Sequence, residues 1–295
     1  MHTRRYRLAG LLWTLPALIA VVGILIYPLV QNVRLSFHTW SVFAPDEVFI
    51  GLENYVRAVA DPVFWTALLN NVAYAIVSLI FQIGVALALA AVLDQFIARR
   101  FQGFFRSVYF LPATLSITIT SVLFTFIYHP EVGILNSALD FLGLEGLKHV
   151  WLGDPTTAMG AVIAMSQWQW TGYNAILLLV AIQRIPREYY EASSLDGAGR
   201  IRQFFTITVP LSRDMITVLS ITVISNAFLV FNEVTVMTNG GPNNSTQVLG
   251  TLIYQNAFRN DDMGYAAALG TVVLIVTVVI GIVQVILSGR KQVTY

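Results

Sequence analysis

Charged residues fall along this chain in clusters, and six long runs between the clusters contain no Asp, Glu, Lys or Arg. These runs lie between Arg7 and Arg34, Asp61 and Asp94, Arg106 and Glu131, Asp154 and Arg184, Asp214 and Glu233, and Asp262 and Arg290. Each holds an apolar stretch on the scale of the ~20 residues that cross a bilayer as a helix. The pattern predicts transmembrane helices over about 11–31, 70–93, 107–128, 158–182, 215–233 and 266–288. A seventh charge-free run, Val234 to Phe258, is not read as a span. It contains "TNGGPNNSTQ", whose Gly, Pro and Asn signal turns, and lipid cannot satisfy the backbone of a turn. The expected fold is therefore an all-α integral membrane protein with six transmembrane helices.

Composition agrees with this pattern: 56% of residues are apolar and 11% charged, with a mean hydropathy of +0.69. Charge also orients the helices. One side of the membrane collects Arg4, Arg5, Arg7, Arg99, Arg100, Arg106, Arg184, Arg187, Arg200, Arg202, Arg213, Arg290 and Lys291 against only five acids. The other side has four basic residues and eleven acids. Basic loops stay in the cytoplasm, so residues 1–10, the loop 184–213 and the tail 291–295 are expected there. "MHTRRYR" before an apolar run could open a signal peptide. The run is too long for the usual signal core and lacks a small-residue cleavage site before Pro28, so an uncleaved anchor is expected. The absence of cysteine removes disulfides and thiol chemistry.

Several function classes lose support. Lys148 and Lys291 are followed by His149 and Gln292, so the phosphate-binding loop of an ATPase, which needs Lys before Ser or Thr, is missing. "DGAGR" is a poor dinucleotide loop, since Arg202 stands where the third glycine belongs. His2, His38, His129 and His149 all lie outside the apolar centres, and no carboxylate pair sits within a run. Glu131 and Glu233 are read as solvated residues at outer span ends. The predicted helices carry polar but uncharged groups, which weakens proton coupling as a mechanism.

The exception to the apolar pattern is "EYYEASSLDGAGR", residues Glu188 to Arg200. Arg184, Arg187, Glu188, Glu191, Asp196, Arg200, Arg202 and Arg213 would together cost roughly 24 kcal/mol to insert, at about 3 kcal/mol each. Pro186 suits a first helical position, and Glu188 and Glu191 place negative charge near the positive end of the dipole. A short helix over about 186–195 follows. Gly197 can take the left-handed conformation that stops it, beside Asp196, and "RIRQFFTITV" begins a second helix toward Pro210. Such a helix-turn-helix bracket could dock into a cleft of another protein, or lie on lipid headgroups as an amphipathic loop.

"EASSLDGAGRIRQFFTITVP" resembles the EAA motif of permease subunits in binding-protein-dependent ABC importers: Glu-Ala-Ala, three residues, Gly, nine residues, Ile, one residue, Leu, Pro. Glu191, Ala192, Ser193, Gly197, Ile207, Val209 and Pro210 fill these places, with Ser193 for Ala and Val209 for Leu. "FIGLENY", "YFLPATLS", "IPREYYEASSLDGAG" and "TNGGPNNSTQVLGTLIYQNAF" are similar to the carbohydrate-uptake branch, in particular the maltose-type first permease subunit. The extra N-terminal spans and large outer loop of that subunit lie outside the resemblance, so no role of theirs is carried over to this chain.

The resemblance implies a type I ABC importer permease in a bacterial or archaeal inner membrane. Its expected partners are a second, homologous permease, a dimer of cytoplasmic ATPase subunits holding ATP and Mg, and an extracytoplasmic binding protein that delivers a sugar. No cofactor, metal or nucleic acid is expected on this chain. The bracket becomes the coupling helix seated in the ATPase, with Glu188, Glu191, Ala192, Ser193, Asp196, Gly197, Ala198, Gly199, Ile207 and Pro210 as coupling residues. Helical spacing puts Ser166, Trp170, Tyr173 and Asn174 on one face of the fourth helix and Ser225, Asn226, Leu229 and Asn232 on one face of the fifth, with Ser116 and Thr120 in the third. Hydroxyl-bonding groups and an aromatic ring suit a sugar passage. The same groups could equally bond across helices and fill packing gaps. An importer of glycerol-phosphate or a polyol, or a stand-alone ion-coupled transporter, are the other readings.

Overall fold

The structure is a computed structural model and describes residues 13–44, 46–95, 97 and 99–288. The termini expected in the cytoplasm, 1–10 and 291–295, lie outside the described residues. The rest is helical apart from one two-stranded hairpin and the turns, and its contacts divide into two compact units.

The first unit comprises the described residues up to Asp61 together with Leu252–Leu274. Its first helix, α1 (Trp13–Leu35), keeps its apolar side chains on the surface, as a helix bathed in lipid does. A hairpin follows, β1 (His38–Thr39) paired antiparallel with β2 (Val48–Phe49), and then α2 (Glu53–Ala60). The buried Asn54 amide donates to the carbonyls of Ser36 and His38 at 3.0 and 3.1 Å, satisfying acceptors left at the end of α1. Asn32 donates to the Ala267 carbonyl and the Thr271 hydroxyl, both at 3.2 Å. Arg57 sits 2.5 Å from the Asp262 carboxylate and 4.1 Å over the Tyr265 ring. Asp261 accepts from the Ser41 hydroxyl and the Val42 amide, and these bonds hold its carboxyl below the usual range.

The second unit comprises Pro62–Thr251 and the residues from Ile275 on. Its α3 (Pro62–Gln95) is 34 residues long, about 50 Å at 1.5 Å per residue. It starts at a proline, which lacks only a donor that the first turn cannot use, and so begins eight residues before the span expected over 70–93. Next come α4 (Arg99–Phe110), α5 (Ile117–Ile127), α6 (Ile134–Phe141) and α7 (Ala158–Ile182), the last with the bounds expected for the fourth helix. The core forms where Ala86, Ala90 and Ala91 of α3 let Ala175, Leu178, Leu179 and Ile182 of α7 approach closely. The chain continues through α8 (Arg187–Leu195), α9 (Arg200–Leu211), α10 (Arg213–Phe228), α11 (Asn232–Met237) and α12 (Leu249–Tyr254) to the long α13 (Met263–Ser288).

Two expected helices are corrected. The single span expected over 107–128 is broken: the chain bends by 94° between Arg100–Thr114 and Ile117–Ile127. Pro112 removes a backbone donor and crowds the preceding turn, and Leu115 and Ser116 are extended. The helix expected over 215–233 stops at Phe228, and Asn232 opens a separate helix. Among the described residues three helices, α1, α3 and α13, are each long and apolar enough to cross a membrane, or up to five elements if each of two bent pairs counts as one span; α7, expected as the fourth span, is not among them.

Candidate functional site

The bracket is built from the second unit alone. Pro186 stands just before α8 in an extended conformation, one residue earlier in the helix frame than the first helical position expected for it. At the other end Gly197 takes φ +75°, and the amides of Gly197 and Ala198 bond back to the carbonyls of Ser194 (3.1 Å) and Ser193 (2.9 Å). A left-handed residue closing a helix in this way is the glycine stop that the sequence predicts. Gly199 is extended and opens α9, whose Phe204–Thr208 segment forms a π-helical turn. The pair α9 and α10 then bends by 72° at Ser212.

Of the coupling residues, Glu188, Glu191, Ala192, Asp196, Gly197, Gly199 and Pro210 are exposed, while Ser193, Ala198 and Ile207 are half-buried. Two apolar residues stand out beside the turn: Leu195 is 90% exposed and Ile201 78%. Behind α8, against the C-terminal ends of α3 and α7, lies a cavity of about 770 Å³ lined by residues that include Asp94, Gln183, Arg187, Glu191, Arg200 and Gln203. The two arms are tied by residues that sequence reasoning did not single out. The buried Gln203 amide nitrogen lies within hydrogen-bond reach of three acceptors, the Tyr190 carbonyl at 3.1 Å and the hydroxyls of Ser193 and Ser194, each at 2.9 Å, among which its two hydrogens are shared. The Tyr190 hydroxyl lies 2.9 Å from that of Thr208. Burial raises the Tyr190 pKa, the Thr208 hydrogen bond opposes that rise, and the Asp94 charge adds to it.

The residues proposed for a passage separate into different environments. Ser166 and Asn174 are buried inside the chain, whereas Trp170 and Tyr173 are half-buried with rings edge to face at 6.0 Å. Thr120 is buried and its hydroxyl meets no hydrogen-bond partner among the described residues, while Ser116, just before α5, is exposed. Asn226, Leu229 and Asn232 are exposed and Ser225 half-buried. They do not form one helix face, because α10 ends before Leu229 and Phe231 is extended in φ at −151°.

Glu233 needs a further correction. It is not a solvated boundary residue: it is 7% exposed and accepts a 2.8 Å hydrogen bond from the Tyr74 hydroxyl. The reason is that α11 turns back against α5 rather than continuing outward. Tyr74 belongs to a polar row on α3 with Asn70, Asn71, Ser78 and Gln82, spaced four residues apart beyond the first pair. Asn71 donates to the Ala227 carbonyl (2.6 Å) and accepts from the Leu249 amide (2.9 Å), and Asn70 donates to the carbonyls of Ser245 and Gln247, both at 2.8 Å. Gln82 bonds Gln167 of α7 at 3.0 Å. The i, i+4, i+8 spacing was the available signal, hidden because it carries no charge. The row holds the "TNGGPNNSTQ" turns, where Asn239, Asn243 and Asn244 all adopt positive φ.

The chain thus combines a charged, glycine-stopped bracket with apolar helices long enough to cross a membrane. Residues 82–293 match the family described as "Binding-protein-dependent transport system inner membrane component", and the chain belongs to that family. It is a permease subunit of an ABC importer, a transport protein rather than an enzyme. It is 49% identical over 273 residues to the probable ABC transporter permease protein YurN of Bacillus subtilis, covering 92% of this chain and 93% of that one. It is 35% identical to the lactose transport system permease protein LacF of Rhizobium radiobacter, covering 98% and 97%. Its fold matches a chain in the crystal structure of a bacterial ABC transporter involved in the import of the acidic polysaccharide alginate, with a TM-score of 0.84, 23% identity, and coverage of 99% and 98%.

Proposed function

We propose that this chain forms half of the translocation pathway for a sugar or oligosaccharide, with six transmembrane helices and both termini on the cytoplasmic side of a bacterial or archaeal inner membrane. A second, homologous permease supplies the other half. A dimer of ATPase subunits below holds ATP and Mg, a binding protein above delivers the sugar, and this chain holds no cofactor of its own. Family membership supports this reading over a stand-alone ion-coupled transporter, and the lactose permease relative favours a sugar over a polyol or glycerol-phosphate.

The observation that carries the coupling role is the bracket's tip. Eight charges keep the segment out of hydrocarbon, yet Leu195 and Ile201 present apolar side chains at 90% and 78% exposure beside a glycine turn. Each gives up roughly 1.5–3 kcal/mol of possible burial unless a partner's groove receives it. Leu195→Asp is therefore expected to weaken capture of the ATPase subunits by about tenfold or more, some 1.4 kcal/mol or above. An unchanged yield of ATPase on affinity purification would remove the tip from the interface.

For the pathway, the half-buried Trp170 and Tyr173 and the exposed Asn226 and Asn232 are the surface left open to a sugar, while Ser166, Asn174 and Thr120 serve helix packing. Asn226→Leu is expected to impair uptake with assembly and basal ATP hydrolysis intact; uptake at the parent rate would strike Asn226 from the passage. Substrate identity is tested by reconstituting the importer and finding which sugar, with its binding protein, stimulates ATP hydrolysis. Solute uptake by the purified chain alone, driven by an ion gradient, would overturn the proposal.

A further inference from the structure

We propose that Gln203 is a positioning residue that makes the bracket one rigid lever, so that a displacement of α8 reaches α10 instead of being lost at the glycine turn. The proposal rests on the docking role proposed above for α8. By covalent connection alone, α8 is joined to α9 through Asp196, Gly197, Ala198 and Gly199. Two of these four are glycines, the residue with the most backbone freedom, so this link by itself is a pivot.

The side chains remove the pivot at two separate points. At the first, the buried Gln203 amide reaches across to Ser193 and Ser194 at 2.9 Å and to the Tyr190 carbonyl at 3.1 Å. Both serine hydroxyls also donate to that carbonyl, at 3.2 and 2.8 Å, so the last turn and a half of α8 is gathered on one amide. At the second point, the Tyr190 hydroxyl meets the hydroxyl of the fully buried Thr208 at 2.9 Å. Gln203 and Thr208 are five residues apart, one i→i+5 turn along the π-helical segment of α9. One attachment would let α8 swing about α9; two at this separation fix both its position and its direction. The Thr208 carbonyl accepts the Ser212 amide at 3.0 Å, at the 72° bend where α10 begins. The path from docking helix to membrane helix is therefore continuous through Tyr190, Gln203, Thr208 and Ser212. All of the linking groups are neutral, and the two anchoring side chains of α9 are buried, so salt and moderate pH should not loosen the lever.

The test uses the complete reconstituted importer with Gln203→Leu, which keeps most of the bulk and removes the donors, and Tyr190→Phe, which removes a single oxygen atom. Both variants are expected to retain the ATPase subunits on purification and to hydrolyse ATP, while ATP consumed per solute imported rises about fivefold or more, the lower end of typical coupling energies. Because this chain has no cysteine, Tyr189→Cys with Thr206→Cys places one spin-label on each arm without background from the subunit. Their separation is expected to be a single narrow distance in the parent and a broad distribution in Gln203→Leu. Parent coupling ratios with a narrow distance in both variants would overturn the lever. So would loss of the ATPase from Gln203→Leu beside an unaltered ratio in Tyr190→Phe, which would leave Gln203 with a fold-holding role only. Failure of the docking reading itself shows separately, as full ATPase retention by Leu195→Asp.

Discussion

Gly197→Pro is expected to reduce uptake to the background of the empty membrane. Gly197 holds φ +75° and donates its amide to the Ser194 carbonyl at 3.1 Å. Proline is confined near φ −65° and has no amide hydrogen, so both features are lost and the chain cannot leave α8 in its present direction. The tip carrying Leu195 and the amides that close the helix move together. ATP hydrolysis then either continues without import or disappears with the released ATPase. Gly199→Pro is the matched control: Gly199 has φ −71°, which proline adopts, and most uptake should survive. Gly197→Ala falls between, since an alanine in the left-handed region costs about 1–2 kcal/mol. Uptake of labelled sugar and phosphate release, measured on the same preparations, check the order. Normal import by Gly197→Pro would remove the turn from the coupling path.

The bracket was legible in the sequence because its signals are local. A proline before a helix, a carboxylate in its first turn and a glycine after its last act within a few residues, and the backbone obeys them. The bounds of the fourth helix were legible for a related reason: after Pro155 the run toward Arg184 holds no further proline, and α7 fills it as Ala158–Ile182, although its central polar groups keep it out of the helices apolar enough to span on composition alone. The third helix was misjudged because a hydropathy count weighs transfer to lipid and ignores Pro112, whose effect is steric. The fifth was misjudged without any such marker. Leu229, Val230 and Phe231 are as apolar as the residues before them, and the break is set by how α11 packs back onto α5.

Glu233 shows what the one-dimensional pattern omits. A carboxylate at the end of an apolar run is cheapest in water, and no local feature says that Tyr74, 159 residues earlier, will donate to it. Gln203 and Thr208 were invisible for the same reason, since their partners lie across the turn on another helix. Periodicity tells which face of a helix is polar; it does not tell which polar group another chain segment will bring to it. Ser166 and Asn174 illustrate the converse. Helical spacing grouped them with Trp170 and Tyr173, yet the chain uses the first two internally and leaves the rings half-open.

Gly172→Ala is expected to lower the melting temperature of the purified complex by several degrees and to cut uptake with it. An alanine Cβ at Gly172 would lie 2.0 Å from the Tyr109 carbonyl oxygen and 2.8 Å from its carbon. Those are backbone atoms, so no rotamer change relieves the clash, and α4 must move away from α7 by more than 1 Å to reach ordinary contact. That separation pulls Phe105 and Tyr109 from the core formed by Ala175, Leu178 and Leu179; overpacking of this kind costs about 1–3 kcal/mol or more. Gly160, on the same helix, has no atom within 4 Å of a built Cβ. Gly160→Ala should therefore be neutral or slightly stabilising, by up to about 1 kcal/mol from helix propensity. The functional loss at Gly172 follows from position, since the next residue, Tyr173, packs its ring 6.0 Å from Phe110 of α4 and would be carried with the displaced helix. Equal melting temperatures for the two alanine variants, measured by thermal unfolding in detergent, would show that the close approach of α4 to α7 does not hold this part of the permease together.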